Sequence, residues 1–256
     1  MAAWQCRDLM SFTYQTEEPA EDKQSTGNGA VAQPRPPVPV YTIILIASFG
    51  VVAAVQMLTG LDRSILLAGF VKQDFLHNHQ YWRILTGAAM HGGVLHVAMN
   101  GYAFYSFGKI FEMLSNRAHL AIVFLLAALG GGFLSLVVSP NGISVGASGG
   151  IVGLIGYLAV YAFRRRQFVS PAFRKSLLIN IGFILIYGLV LYQVIDNFGH
   201  IGGLITGAAY GFIQIPRDAY ADPREAGGVA ETLGIASVGI YIAACCFCIL
   251  LMFGIV

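Results

Sequence analysis

The sequence predicts an all-α membrane protein, a polytopic helical bundle. Three observations lead there. Residues AVILMFWYC make up 56% of the 256-residue chain and charged residues only 11%. The mean hydropathy is +0.68. The apolar residues gather into seven runs, each long enough, or nearly so, to cross a bilayer. A soluble domain carries about a quarter charged residues, so this chain has too few to cover its own surface in water. The net charge of +2, without a basic stripe, excludes nucleic acid as a partner.

Residues 1–40 precede the first run. They hold Glu17, Glu18, Glu21, Asp22 and Lys23, then Pro34, Pro36, Pro37 and Pro39. With no apolar segment and with acidic residues, this stretch fits neither a signal peptide nor a mitochondrial transit segment. It reads as a disordered cytoplasmic tail ending in an extended Pro-rich linker.

The first span is 41–59, without a charge. Residues 60–88 read as a mixed loop with Asp62, Arg63, Lys72, Asp74 and Arg83. Further spans are expected at about 89–113, 119–138, 148–163, 176–194, 200–215 and 233–256, with a cytoplasmic loop at 216–232. Cys245, Cys246 and Cys248 lie inside the seventh run, where a thiol acts as a small hydrophobe; Cys6 is alone in the tail. With the N-terminus inside, twelve Lys and Arg fall on inner segments, leaving Arg63, Lys72 and Arg83 outside. The positive-inside rule therefore puts the N-terminus in the cytoplasm and the C-terminus outside.

Polar side chains inside a bilayer point to function, because leaving them unpaired costs several kcal/mol. Those that stand out are His91, His96, Asn100, Glu112, Ser148, Asp196 and His200. Spans 2, 4 and 6 run in one direction, so His91, His96 and Asn100, Ser148, and His200 share one leaflet near the outer face. Spans 4 and 6 are the short ones, roughly 24 Å of helix against a core of about 30 Å. Ser148 and His200 are thus expected in a cavity below the outer surface. Gly203, Gly207 and Gly211 form a small-residue stripe on span 6, and Gly149 and Gly153 do so on span 4, letting the backbones approach. Singly, Ser148 could be a helix N-cap, His200 a histidine bonded to a carbonyl, and His96 a buried structural partner. Together they fit a serine nucleophile and its general base.

These residues resemble the rhomboid family of intramembrane serine proteases. The resemblance rests on Trp82-Arg83, on HGGVLHVAMN from His91 to Asn100, on Gly108 and Glu112, on GASG from Gly146 to Gly149, and on HIGGLITGAAYG from His200 to Gly211. It covers residues 41–215 and implies a six-span rhomboid-like core, with 233–256 as a seventh span that carries no chemistry. It implies Ser148 as nucleophile, His200 as general base, and His96, Asn100 and the Ser148 N–H as the oxyanion site. Trp82, Arg83, His91 and Glu112 match structural positions, as do Gly146, Gly149, Gly203 and Gly207. The family works with a dyad, so Asp196 is expected to face water. Val152 stands where an aromatic ring often stacks on the histidine, Gly199 where Ala is usual, and Asn116 where a glycine is expected. No cofactor and no metal are implied. The implied partner is another protein's transmembrane helix, entering laterally from the lipid bilayer and cut near the outer face. The implied location is a bacterial cytoplasmic membrane.

A catalytically inactive rhomboid-like binding or chaperone protein is the main rival, though such relatives lose the Ser or the His. A channel would need polar groups through the full depth of several spans. Gly146-Ala-Ser148-Gly-Gly150 fits the G-x-S-x-G pattern of α/β-hydrolases, but that elbow needs a preceding strand in a soluble sheet, for which the chain has no room. H-E-x-x-H is absent, which disfavours a zinc protease.

Overall fold

The structure, a computed structural model, describes residues 38–218 and 220–256. Nearly all of the expected tail, with Cys6, lies outside them. Among the described residues, seven long helices run between two ends of the molecule. They are α1 (Val40–Thr59), α5 (Val94–Leu114), α6 (Arg117–Val138), α7 (Ser148–Arg164), α8 (Pro171–Val190), α9 (Asn197–Gln214) and α10 (Gly228–Phe253). Of the described helices, α1, α6, α8 and α10 are long and apolar enough to cross a membrane; α7 is apolar but shorter. This is a polytopic helical membrane fold.

The 60–88 segment corrects the sequence reading. What reads as a mixed loop is a folded cap: α2 (Leu61–Ala68), β1 (Phe70–Val71), α3 (Lys72–His77) and α4 (Arg83–Thr86). β1 pairs antiparallel with β2 (Ile143–Ser144), Phe70 opposite Ser144, which ties the cap to the segment just before Ser148. Arg83 is the cap's hub. Its guanidinium pairs with Asp74 at 3.0 Å, donates to the Leu66 and Gly69 carbonyls, and lies over the Trp82 ring.

Alternating helix direction follows from contacts at the two ends. At one end the first turn of α1 meets the last of α5: the Thr42 N–H and hydroxyl both donate to Glu112, at 2.8 and 2.7 Å. Glu112 thereby satisfies a helix-start donor that no local side chain caps. A Cβ on Gly108 would stand 2.5 Å from Thr42 Oγ1, so the glycine sets how near α1 comes. At the same end Arg164 donates to the Ile215 carbonyl after α9, and Ser115, Tyr157 and Gln214 form a hydrogen-bonded chain. His119 pairs with Tyr210 there.

α7, α9 and α6 form the centre. A Cβ on Gly203 would fall 2.1 Å from the Gly149 carbonyl oxygen, and one on Gly207 1.9 Å from that of Gly153. Backbone touches backbone along this seam, the close approach that small-residue stripes permit where lipid gives Leu-to-Leu contact no advantage. The seam begins at the turn that carries Ser148 and His200.

Candidate active site

Ser148 is the first helical residue of α7, whose N-cap is Ala147. Its hydroxyl is not spent on capping the helix. Instead Ser148 Oγ lies 2.9 Å from His200 Nε2, on the first turn of α9. An imidazole that accepts the serine proton at Nε2 carries its own proton on Nδ1. Among the described residues His200 Nδ1 has no hydrogen-bond partner. The two side chains are in direct contact, and among the described residues no carboxylate bonds to the far ring nitrogen of His200.

Asp196, expected to face water, is partly buried, and both carboxylate oxygens are taken up by protein donors. It is the N-cap of α9 and accepts from the Gly199 N–H at 2.9 Å. Its other oxygen accepts from Ser135 and from Ser144, at 2.5 and 2.6 Å. Ser135 in turn accepts from the buried Lys72 ammonium at 2.7 Å. Lys72 and Asp196 both lie off the long helices. Burial pulls the Lys72 ammonium down against the opposing pull of Asp196. Burial likewise works against the Asp196 charge, but the bonds from Ser135, Ser144 and Gly199, with Lys72, hold its carboxyl below the usual range. The four groups join the cap, α6, β2 and α9 just before His200.

α5 begins at Val94, so His91 precedes the helix while His96 and Asn100 lie on it, one turn apart. The His91 ring is fully buried between those of Phe49 and His96. Its main chain is clamped by Gln56 of α1, which donates to the His91 carbonyl at 3.0 Å and accepts from the His91 N–H at 2.9 Å. The Gly92 N–H donates to His96 Nδ1 at 3.2 Å. In the neutral imidazole that leaves the proton on Nε2. His96 Nε2 and Asn100 Nδ2 converge on Gly146: a methyl group there would stand 2.9 and 3.5 Å from them. Gly146 has φ +129°, a conformation that L side chains rarely adopt, so a glycine is needed two residues before Ser148. The buried Asn100 Nδ2 has no hydrogen-bond partner among the described residues. Two donors thus stand beside the Ser148 loop.

A small cavity of about 50 Å³ borders Ser148, His200, Asp196, Gly87 and Ala88. Val152, at the position where a stacking ring was noted as missing, is buried one turn along α7. Trp82 is on the cap, its ring edge-on to Phe247 of α10.

Sequence reasoning did not single out Gln56, Lys72, Ser135, Ser144 or His119. For Gln56 and His119 a signal existed, since each is strongly polar within an otherwise apolar run. Ser135 and Ser144 carry no local sign of their shared partner.

The Rhomboid domain family matches residues 78–217. RHOMBOID-like protein 2 of Arabidopsis thaliana is 32% identical over 147 residues, 57% of this chain and 46% of that protein. Rhomboid protease GluP of Bacillus subtilis (strain 168) is 32% identical over 144 residues, 56% of this chain and 28% of that protein. Rhomboid-like protease 3 of Toxoplasma gondii is 29% identical over 150 residues, covering 58% and 57%. The chain thus spans about half or less of the length of these relatives. The match covers α4 at the end of the cap, α5 to α9 and both Ser148 and His200, and the chain belongs to the rhomboid family.

Proposed function

We propose that this protein is an intramembrane serine endopeptidase that cuts transmembrane helices of other membrane proteins near the outer face. One observation carries the reading: Ser148 Oγ within hydrogen-bond reach of His200 Nε2 at the mouths of two tightly packed helices. Ser148 Oγ attacks the scissile carbonyl carbon and its proton passes to His200 Nε2. The oxygen that gains negative charge meets donors already in place: His96 Nε2–H, the Asn100 amide and the Ser148 N–H. Collapse expels the amine, which takes the proton from Nε2, and water repeats the sequence on the acyl-enzyme. Family membership and the protease names of two relatives support proteolysis, and the retained Ser and His count against an inactive binding or chaperone protein.

The proposed substrate enters laterally from the bilayer. The proposed topology is seven spans, with the N-terminus cytoplasmic and the C-terminus outside, in a bacterial cytoplasmic membrane. Plant and bacterial relatives match this chain equally well, and fractionation of the source cell decides the membrane.

The test uses purified protein in detergent with a model transmembrane substrate and a fluorophosphonate label. Wild type is expected to cleave and to be labelled at Ser148, while Ser148→Ala and His200→Ala fold but do neither. More than a few per cent of wild-type cleavage by Ser148→Ala overturns the serine mechanism.

A further inference from the structure

α10 lies outside the family match at 78–217, yet it packs against the wall of the candidate site. Its second half, from Tyr241 on, runs beside the 82–88 segment. The Tyr241 hydroxyl donates to the Ala88 carbonyl at 3.1 Å, Cys248 Sγ lies 3.7 Å from the Thr86 carbonyl, and Phe247 meets the Trp82 ring edge-on. Tyr241, Cys248 and Thr86 are almost wholly buried, so this seam is sealed from both lipid and water.

The neighbouring carbonyl turns the other way. Gly87 O accepts from the Gly146 N–H at 2.9 Å, and Gly146 is two residues before the nucleophile. Gly87 cannot slide, because a Cβ on it would stand 2.5 Å from Phe70 Cβ and 2.8 Å from Phe70 N. The strip from Thr86 to Ala88 is thus met by α10 at the Thr86 and Ala88 carbonyls and holds the Ser148 loop by the Gly87 carbonyl between them. The Tyr241 ring also lies edge-on to Phe124, whose own ring would be 2.5 Å from a Cβ on Gly150 in the first turn of α7. Both routes from Tyr241 end within two residues of Ser148.

We infer that Tyr241 is a positioning residue for the Ser148 nucleophile, and that α10 is part of the catalytic scaffold rather than an added anchor. The inference rests on the serine-protease reading of Ser148 and His200. The reaction tolerates little displacement of a reacting group, so loosening the Ala88 carbonyl acts on the chemical step and leaves substrate docking alone.

The experiment uses the full chain in lipid nanodiscs and measures the rate of fluorophosphonate labelling at Ser148, kcat and KM on a model transmembrane substrate, and the melting temperature. Tyr241→Phe keeps the ring and removes only the hydroxyl. It is expected to slow labelling and kcat together by about three- to tenfold, the range set by one hydrogen bond, with KM unchanged. Cys246→Ala, on the exposed face of α10, is expected to match wild type. Phe247→Leu, which loosens the Trp82 contact, gives the same pattern if Tyr241→Phe folds poorly. Wild-type kcat and labelling in both seam variants overturn the inference, as does a loss that only tracks the folded fraction or appears in KM alone. Wild type that is not labelled at Ser148 brings down the serine-protease reading, and this inference with it.

Discussion

Asp196 caps the helix that carries His200 without bonding to its imidazole; its carboxylate is shared among Gly199 N–H, Ser135 and Ser144. A carboxylate one turn before a catalytic histidine invites a triad interpretation, and the geometry opposes it. Asp196→Asn keeps an oxygen for the capping bond, so kcat is expected to stay within about tenfold of wild type. Loss of a true triad aspartate costs roughly 10⁴. Asp196→Ala removes the cap as well, and should lower stability by about 0.5–2 kcal/mol, more if Lys72 is left without its anion. Kinetics and melting curves of both variants test this. A thousandfold loss in well-folded Asp196→Asn would show that the charge serves the imidazole directly.

The glycine seam makes a prediction about folding. Gly207 faces the Gly153 carbonyl so closely that a methyl group would overlap it, at 1.9 Å. No flexible side chain is there to yield, so α7 and α9 must part. Gly207→Ala is expected to cost at least about 1–3 kcal/mol, as is typical of overpacking, and to reduce cleavage because the same seam holds Ser148 against His200. Gly182, with nothing near its Cβ position on α8, is the control and should accept Ala. A melting temperature for Gly207→Ala equal to that of Gly182→Ala would show that the seam opens freely.

Much of this site was legible in the sequence because lipid makes polar side chains conspicuous. Ser148, His200, His96 and Asn100 stand out against apolar runs, and helix direction puts them at one depth. What was illegible depends on tertiary pairing. Ser135 sits between leucines and looks like an ordinary small residue of a span, yet it joins Lys72 to Asp196. Lys72 reads as a solvent-facing loop charge and is 2% exposed. The 60–88 cap breaks into helices of 8, 6 and 4 residues, too short to show a helical period. Tyr241 in an apolar run looks like a span residue at the lipid interface; only the fold shows its hydroxyl at Ala88.

The direction of α10 bears on topology. Near its start a Cβ on Gly234 would stand 2.5 Å from Ala118 Cα at the beginning of α6, and near its end Cys248 meets Thr86 of the cap. α6 and α10 therefore run the same way along the bundle. If α6 crosses the membrane outward, so does α10, and Val256 ends on the side of the cap. Reporter fusions or cysteine labelling at each terminus should place them on opposite sides. Both termini on one side would mean that one of the seven long helices does not cross.

The proposed oxyanion donors would separate a tuned protease from a serine that merely touches a histidine. Acyl transfer builds negative charge on the scissile carbonyl oxygen, and a site of low dielectric needs donors fixed beforehand. His96 is committed to one tautomer by the Gly92 N–H at its Nδ1, so its Nε2–H is the donor that faces the Gly146 loop. That commitment depends on a loop glycine, whereas the Asn100 amide keeps its protons at any working pH. Asn100 Nδ2 is buried beside the same loop with no partner among the described residues, an arrangement that costs the resting protein about 1–3 kcal/mol and leaves the donor free for a ligand oxygen. Removing one such donor lowers kcat by on the order of 10² to 10³. Asn100→Ala should therefore lose activity by about that factor in kcat with KM nearly unchanged, while its melting temperature holds or rises as the unpaired amide is removed. A variant with wild-type kcat and a raised KM would make Asn100 a substrate-binding group and leave the charge to His96 and the Ser148 N–H.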